Sequence, residues 1–222
     1  TSKEETMISH KHKFIFVHIP KTGGSAMHIW FKDCYKLEGE MRADPEPQVH
    51  HSTIEEIVSS FPDTSDYYKF AVVRNPWDRL VSGYYDFTQN RKRHYYGKII
   101  LEKPLLSEYK DFNEFCIDFP NSKWNDEIHF KPQNLFIKLN NTNAMNYTGR
   151  QENLEEDFGT ILLELGIVDD SFLEEKKKQN KAFLQKHRLS NHKHYRDCYT
   201  NQTKKIIGDF FEEDINMFEY DF

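Results

Sequence analysis

The sequence predicts an α/β fold in which helices cover both faces of a central, mostly parallel β-sheet. Stretches rich in β-branched and aromatic residues alternate with stretches of helical periodicity. Two of the predicted strands run directly into a helix, within residues 13–30 and 68–87. Folds of this class bind ligands at the carboxyl ends of their strands, so polar residues at these two junctions are the first candidates for a site.

The N-terminal part of the chain begins with a predicted flexible tail, residues 1–12, followed by a strand at 13–19 and a helix at 25–36. After a proline-rich loop, Ser52 as N-cap with Glu55 three residues later forms a capping-box pattern and predicts a second helix. We therefore expect the folded region to start with the first strand.

The second junction begins with a predicted strand at residues 68–73. Asn75 is a suitable N-cap for the next helix, and Pro76 suits its first position because an N–H is not needed there. This junction repeats the order of the first one.

The middle of the chain, residues 89–131, is charged and irregular, and we expect it to be a variable insertion. It contains one predicted short helix whose apolar side chains share a face, namely Phe112, Phe115, Cys116 and Phe119.

The C-terminal part predicts short strands at residues 133–139 and 144–150 and a helix from Leu154 that Gly166 ends. A final amphipathic helix carries Ile207, Phe210, Phe211, Ile215 and Phe218. With 222 residues, the chain is expected to form one domain over residues 13–222.

The composition excludes some classes of partner. The net charge of −6 disfavours general binding to nucleic acid or to an anionic membrane surface, and no apolar run is long enough to span a bilayer. Three widely spaced cysteines match neither a disulfide scaffold nor a metal site. We therefore expect a cytoplasmic protein or, if a targeting segment has been removed, one of the Golgi lumen.

The turn at the first junction has the composition of an anion-binding loop. Gly23 and Gly24 allow close approach of the backbone, Lys21 adds a charge, and Thr22 and Ser25 add hydroxyl groups. The lysine precedes the glycines, whereas the usual nucleotide triphosphate loop has it after them. An ordinary strand-to-helix turn with an exposed lysine is the alternative.

The second junction offers another anion-binding group. Arg74 lies at the end of the predicted strand, and Ser82 is two turns along the next helix. An arginine fork and a serine hydroxyl suit a phosphate, although an ion pair with a carboxylate is the structural alternative for Arg74. Two anion sites at two strand ends suit a nucleoside with phosphate-type groups on both its 5′ and 3′ sides.

Four segments resemble the signature regions of the carbohydrate sulfotransferases, enzymes that use 3′-phosphoadenosine 5′-phosphosulfate (PAPS). They are HIPKTGGSA, FAVVRNPWDRLVSGY, GRQENLEEDF and HYRDCYTNQTKKIIGDFFEEDINMFEYDF. The resemblance implies a P-loop-like three-layer fold and a 3′-phosphate site at Arg74 and Ser82. It also implies that the 5′-phosphosulfate is held by Lys21, Thr22, Gly23, Gly24, Ser25 and Ala26.

The resemblance implies further nucleotide contacts. Arg150 stands in a GRQENL segment that resembles a turn near the cofactor, where Gln151 replaces the family's usual aromatic residue. Arg196 and Tyr199 stand where they are expected to close over the nucleotide. For Arg150, a helix cap with a surface ion pair is the alternative.

Histidines are the candidate groups on the side of the site that would bind the acceptor, where the insertion at residues 89–131 is also expected. His50 and His51 precede the second helix, and at neutral pH a histidine suits the task of taking a proton from an acceptor hydroxyl. The resemblance places the base at His51, with His50 in reserve. His129 and Gln133 resemble a family stretch that contacts the acceptor, although a histidine beside a proline turn is often structural.

Together these residues predict a PAPS-dependent sulfotransferase that acts on a saccharide hydroxyl by in-line displacement and releases adenosine 3′,5′-bisphosphate. Lys21 would neutralise charge on the leaving oxygen, so no metal is expected. A P-loop kinase or triphosphatase is one alternative, but it requires a lysine after the glycines and an acidic metal ligand. A non-catalytic module that binds a nucleotide or a glycan is the other.

Overall fold

A computed structural model describes residues 7–31, 41–42, 51–88, 91–95, 98–102, 105–169 and 193–222. The chain divides into two compact units. The sheet unit contains Ser2–Arg74 and Pro132–Leu189, and the helical unit contains Asn75–Lys131 and Ser190–Phe222.

The strands, in chain order, are β1 (Met7–Ser9), β2 (Phe14–Val17), β3 (Met41–Arg42), β4 (Tyr68–Val73), β5 (Arg91–Tyr95), β6 (Lys98–Glu102), β7 (Lys138–Leu139), β8 (Thr142–Asn143) and β9 (Tyr147–Arg150). The α-helices are α1 (Gly24–Ile29), α2 (Ile54–Ser60), α3 (Pro76–Thr88), α4 (Phe112–Asp118), α5 (Asn134–Ile137), α6 (Leu154–Glu164), α7 (Asn201–Phe210) and α8 (Glu212–Phe218). None of the helices within the described ranges is both long and apolar enough to cross a bilayer.

The sheet unit is built on a mixed sheet with the strand order β3-β1-β2-β4-β9. The neighbours β2 and β4 are parallel, as are β4 and β9, whereas β1 is antiparallel to both β2 and β3. The predicted α/β class with a mostly parallel sheet flanked by helices is confirmed, and three adjacent strand ends point to one edge.

Strand β1 corrects the predicted flexible tail at residues 1–12. Met7, Ile8 and Ser9 are buried, and Ile8 pairs with Ile15 of β2. A strand of three residues is too short to show an alternating pattern in the sequence, which is why this segment was not predicted to be ordered.

Aromatic side chains fill the core of the sheet unit. Phe16 stacks on Phe70 of the neighbouring strand, with ring centroids 5.2 Å apart. Trp30, just after α1, packs on Phe158 of α6 at 4.7 Å. The next residue, Phe31, stacks on Phe14 of β2 at 5.3 Å, so the C-terminal end of α1 packs on both the sheet and α6.

Two helix boundaries differ from the predicted ones. Helix α2 is capped by Thr53, whose hydroxyl accepts from the Glu56 amide, rather than by Ser52 with Glu55. This register buries Ile54 and Ile57 and leaves both glutamates exposed. Helix α1 begins at Gly24, one residue earlier than predicted, and residues 32–36 of its predicted extent lie outside the described residues.

The predicted strand at residues 133–139 is wrong in its first half, because Asn134–Ile137 is helical and only Lys138–Leu139 is a strand. Burial of Phe136 and Ile137 explains the error, since an apolar run does not distinguish a short helix from a strand. The strand at Tyr147–Arg150 and the helix that begins at Leu154 are confirmed. Gly166, with φ of 64°, follows the end of that helix.

The helical unit has a core of aromatic side chains from α3, α4 and the C-terminal helices. The predicted face of α4 is confirmed, since Phe112, Phe115, Cys116 and the following Phe119 are buried. Where one C-terminal helix was predicted, α7 and α8 are separated at Phe211, whose buried side chain lies between them in sequence. A β5–β6 hairpin was not predicted.

Candidate active site

Three cationic residues follow or end adjacent parallel strands of the sheet unit. The turn with Lys21 follows β2, Arg74 follows β4, and Arg150 ends β9. Val73 pairs with Arg150 in register, and neighbouring strands lie about 4.8 Å apart. The three strand ends therefore bring positive charge to one edge of the sheet.

The turn after β2 depends on two residues with left-handed backbone conformation. Lys21 has φ of 70° and Gly23 has φ of 94°, while Gly24 begins α1. A left-handed φ is energetically costly at a lysine, and strained residues of this kind cluster at functional sites. Left-handed residues within a turn can point successive backbone N–H groups to one side, where they bind an anion. Gly23 is the N-cap of α1 and contributes no side-chain hydrogen bond.

The same turn lies against the segment that follows β9. A Cβ atom on Gly23 would lie 3.0 Å from Cδ2 of Leu154 and 3.6 Å from Cγ of Gln151. The GRQENL segment, predicted to lie near the cofactor, is therefore beside the turn within the sheet unit.

Thr22, Ser25 and Ala26 contribute to the turn in different ways. The Thr22 side chain is fully buried and its hydroxyl donates to the carbonyl oxygen of Ile19 at 3.0 Å. The Ala26 amide donates to the carbonyl oxygen of Gly23 at 3.0 Å. The Ser25 side chain lies outside the described part of the structure. The Thr22 hydroxyl thus stabilises the turn, where the sequence predicted a direct contact to the anion.

Arg74 is held through its backbone by the side chain of Gln133. The Arg74 amide donates to Oε1 of Gln133 at 2.9 Å, and Nε2 of Gln133 donates to the Arg74 carbonyl at 2.8 Å. The Arg74 guanidinium donates to the Lys21 carbonyl oxygen at 3.2 Å, which joins the first two strand ends. Gln133 is fully buried, so this geometry favours a positioning task over the predicted acceptor contact.

Arg150 is anchored by the first turn of α6. Its backbone amide donates to the Asp157 carboxylate, whose other oxygen accepts from the Tyr147 hydroxyl at 2.9 Å. Burial, together with this hydrogen bond, raises the pKa of Tyr147 to about 12. Asp157 was not singled out in the sequence, because only the fold shows that the first turn of α6 faces β9.

His51 lies at the same edge of the sheet. Its Nδ1 is 3.2 Å from the carbonyl oxygen of His18, the residue directly after β2. A carbonyl oxygen only accepts hydrogen bonds, so Nδ1 carries the proton and Nε2 of a neutral His51 keeps its lone pair. His50 lies outside the described residues.

The helical unit contains the remaining predicted residues. Ser82 is buried on α3. His129 Nδ1 is 2.8 Å from a carboxylate oxygen of Glu127, and this hydrogen bond lowers the pKa of Glu127. The carbonyl of His129 also accepts from Arg79, a buried arginine that the sequence analysis did not single out.

The two predicted nucleotide contacts near the C-terminus have different environments. The Tyr199 hydroxyl donates to the Trp77 carbonyl oxygen at 2.9 Å, and burial raises the pKa of Tyr199 well above its usual value. Arg196 is exposed, and its Nε donates to the Tyr195 hydroxyl at 3.1 Å. Tyr199 is thus half-buried and packs against the core of the helical unit, whereas the Arg196 side chain is exposed.

Comparisons with known proteins agree on one family. The sulfotransferase family model matches residues 4–221. Carbohydrate sulfotransferase 10 of Homo sapiens is 28% identical over 193 residues, which are 74% of this chain and 53% of that protein. Carbohydrate sulfotransferase 10 of Gallus gallus gives the same identity over 194 residues, with the same two shares.

Carbohydrate sulfotransferase 9 of Homo sapiens is more distant, with 21% identity over 239 residues, 96% of this chain and 52% of that protein. The chain therefore spans about half the length of the curated relatives it matches.

The relatives also correct the predicted compartment. Carbohydrate sulfotransferases 9 and 10 point to the Golgi, so the expectation of a cytoplasmic protein is wrong. The expectation relied on three separate cysteines, but a domain with a full core needs no disulfide in either compartment.

Proposed function

The chain belongs to the sulfotransferase family, and from that premise we propose that it transfers a sulfuryl group from PAPS to a hydroxyl of a saccharide. The observation that carries the proposal is the joining of an anion-binding turn and a histidine with a defined tautomer at one edge of the sheet. The turn is the segment between β2 and α1, and His51 is hydrogen-bonded to the carbonyl of His18, where that segment begins.

The residues at this edge fit a donor with negative charge at both ends. PAPS supplies an activated sulfuryl group whose leaving group is a phosphate oxygen. The turn from Lys21 to Gly24 would hold the 5′ side by its backbone amides and by the lysine charge. Arg74 would hold the 3′-phosphate with its planar fork, and Arg150 would add charge from β9.

Lys21 is assigned to the leaving oxygen. An ammonium group at the entrance of the turn neutralises charge that grows on that oxygen during transfer, which is worth most in the transition state. The Lys21 carbonyl accepts from Arg74, so the residue that stabilises the leaving group is tied by its backbone to the residue assigned to the 3′-phosphate.

His51 is assigned as the general base. With its Nδ1 proton donated to the His18 carbonyl, Nε2 is the atom that would take the proton from the acceptor hydroxyl. His129 is the competing candidate, because its Nδ1 is also occupied, by the Glu127 carboxylate.

Ligand binding and turnover test the proposal. Adenosine 3′,5′-bisphosphate at a hundredfold its Kd should stabilise the protein by about 2.7 kcal/mol in a thermal-shift titration, whereas ATP with Mg²⁺ should not. A panel of saccharides with PAPS should then show sulfuryl transfer. Stabilisation by ATP with Mg²⁺ instead would favour a kinase, and binding without turnover on any saccharide would favour a binding module.

The assignment of the base is tested by His51→Ala, with His129→Ala as the comparison. His51→Ala should lower kcat by ~10²–10⁴-fold and leave the affinity for adenosine 3′,5′-bisphosphate nearly unchanged. If His129→Ala shows the large loss and His51→Ala does not, the base is in the helical unit.

A further inference from the structure

His18 lies at the point where β2 ends and the anion-binding turn begins. It is almost fully buried, with 2% of its surface exposed. Its carbonyl oxygen is the acceptor for Nδ1 of His51, at 3.2 Å. One backbone group of His18 therefore determines which ring nitrogen of His51 carries the proton.

The imidazole of His18 fills the space between three groups. It stacks on Phe16 of β2, with ring centroids 5.8 Å apart and an angle of 20° between the rings. On another side the His51 ring meets it edge-on, with centroids 4.7 Å apart and an angle of 63°. The third neighbour is Gly24, the first residue of α1.

The contact with Gly24 is so close that no other residue fits there. A Cβ atom at this position would lie 1.8 Å from Nε2 of His18, far inside the van der Waals limit. Gly24 has the helical backbone conformation that any residue can adopt, so glycine is needed there for the space that the imidazole occupies and not for backbone conformation. The ring thus acts as a spacer between the start of α1 and His51.

We propose that His18 is the positioning residue that fixes His51 relative to the anion-binding turn. Its carbonyl selects the Nδ1–H tautomer, and its ring sets the separation between the base and the first residue of α1. The proposal rests on the proposed function in treating His51 as the base. His18 is buried and is not itself a catalytic residue.

The carbonyl contact makes a prediction for the protein alone, without donor or acceptor. Histidine side chains labelled with ¹⁵N give separate signals for protonated and unprotonated ring nitrogens, and the His51→Gln variant identifies the His51 signals. At about pH 8.5, where an ordinary histidine is neutral, His51 should carry its proton on Nδ1. A proton on Nε2 would overturn the proposal, whatever activity the protein has.

The ring contact is tested by substitutions of His18 that change its side chain and leave its backbone carbonyl in place. His18→Ala keeps the carbonyl but removes the ring that holds His51 against it. His51 should then move away from the carbonyl and populate both tautomers, and kcat should fall by ~10–100-fold. The affinity for adenosine 3′,5′-bisphosphate should stay close to that of the parent. His18→Gln, with a planar amide that partly fills the space of the ring, should recover most of the lost turnover.

His10→Ala is the matched control. His10 also meets an aromatic ring edge-on, that of Tyr67 at 5.7 Å, but it lies in the turn at the opposite end of β2. This variant should change neither kcat nor the His51 signals. If His18→Ala leaves both the His51 signals and kcat at parental values, the ring has no positioning role and the proposal fails.

The two proposals fail in different ways. Absence of PAPS turnover in the parent would contradict the proposed function, while a His51 tautomer that responds to His18→Ala would still support the positioning role. Normal turnover in the parent with an unresponsive His51 would contradict only the positioning role.

Discussion

The N-termini of α1 and α3 follow two neighbouring parallel strands, β2 and β4, but they are built in opposite ways. Helix α1 begins after Gly23, which has φ of 94° and offers no side-chain acceptor. Helix α3 begins after Asn75, whose Oδ1 accepts from the amides of Trp77 and Asp78 at 3.1 and 3.3 Å. One helix start has no side-chain cap, and the other is occupied by its own N-cap.

This difference predicts how each strand end would bind an anion. After β2, binding would depend on backbone amides of the turn together with the Lys21 charge. After β4, the asparagine already satisfies the helix amides, so binding would depend on the side chain of Arg74, the residue before it. We therefore expect the first junction to be sensitive to backbone conformation and the second to the chemistry of one side chain.

The largest effect is expected for the charge at the first junction. Lys21→Ala should lower kcat by ~10²–10³-fold, the usual cost of losing a group that stabilises transition-state charge, with a smaller effect on donor binding. Steady-state kinetics with PAPS measures both. Lys13→Ala is the control, because Lys13 also has positive φ, of 51°, but lies at the opposite end of β2. A raised KM with parental kcat would show that Lys21 serves only binding.

At the second junction, Arg74→Ala should raise the Kd for adenosine 3′,5′-bisphosphate by ~10–100-fold, since a charged hydrogen bond is worth ~1.5–3 kcal/mol. Adenosine 5′-phosphosulfate lacks the 3′ group, so calorimetric titration should show a much smaller change for it. Arg74→Lys keeps the charge without the planar fork, so its Kd for adenosine 3′,5′-bisphosphate should lie between those of the parent and of Arg74→Ala. Equal weakening of both ligands would make Arg74 a structural residue.

Backbone conformation at the first junction is tested by Gly23→Ala, with Gly166→Ala as its matched control. Both glycines have positive φ, so each change should destabilise the protein by ~1–2 kcal/mol in denaturant unfolding. A Cβ at Gly166 has nothing within 4 Å, whereas one at Gly23 crowds Leu154. Only Gly23→Ala should also weaken binding of adenosine 3′,5′-bisphosphate, and equal binding by both variants would contradict a role for this turn.

The smallest effect is expected at the N-cap of α3. Asn75→Ala should destabilise the protein by ~1 kcal/mol, which for a chain of this size lowers Tm by about 2–4 °C. Asn75→Asp retains the capping oxygen but loses the Nδ2 donor to the Asp221 carbonyl, so it should be affected less. A larger loss in Asn75→Asp than in Asn75→Ala would show that repulsion between the new carboxylate and the Asp221 carbonyl outweighs the retained cap.

The parts of the fold that the sequence predicted correctly have strong local signals. Strand β2 is an unbroken apolar run, β4 ends in four successive apolar residues, and Pro76 marks the start of α3 by its fixed φ. The N-cap of α2 was predicted one residue early, because Ser52 and Thr53 are both good caps with a glutamate three residues later. Only burial of Ile54 and Ile57 decides between them, and burial is a tertiary property.

The sequence predicted which residues lie at the candidate site better than it predicted the hydrogen bonds that they form. Lys21 and Arg74 follow the predicted strands, as the alternation of strands and helices required. The bonds of Thr22 to Ile19 and of Gln133 to Arg74 depend on how the chain turns after each strand. His18 was not singled out, although a histidine that directly follows an apolar strand and precedes a glycine turn is the signal that identifies it.

The amide of Gln133 stands in for a peptide group beside the end of β4. It gives the Arg74 backbone both an acceptor and a donor, as a further residue of a neighbouring strand would. The Arg74 N–H should therefore exchange with solvent deuterium as slowly as the amides inside the sheet, although it lies past the last residue of the strand. Such a strand end would keep the Arg74 backbone in one conformation before any ligand binds. Binding of a phosphate would then cost little conformational entropy at this residue.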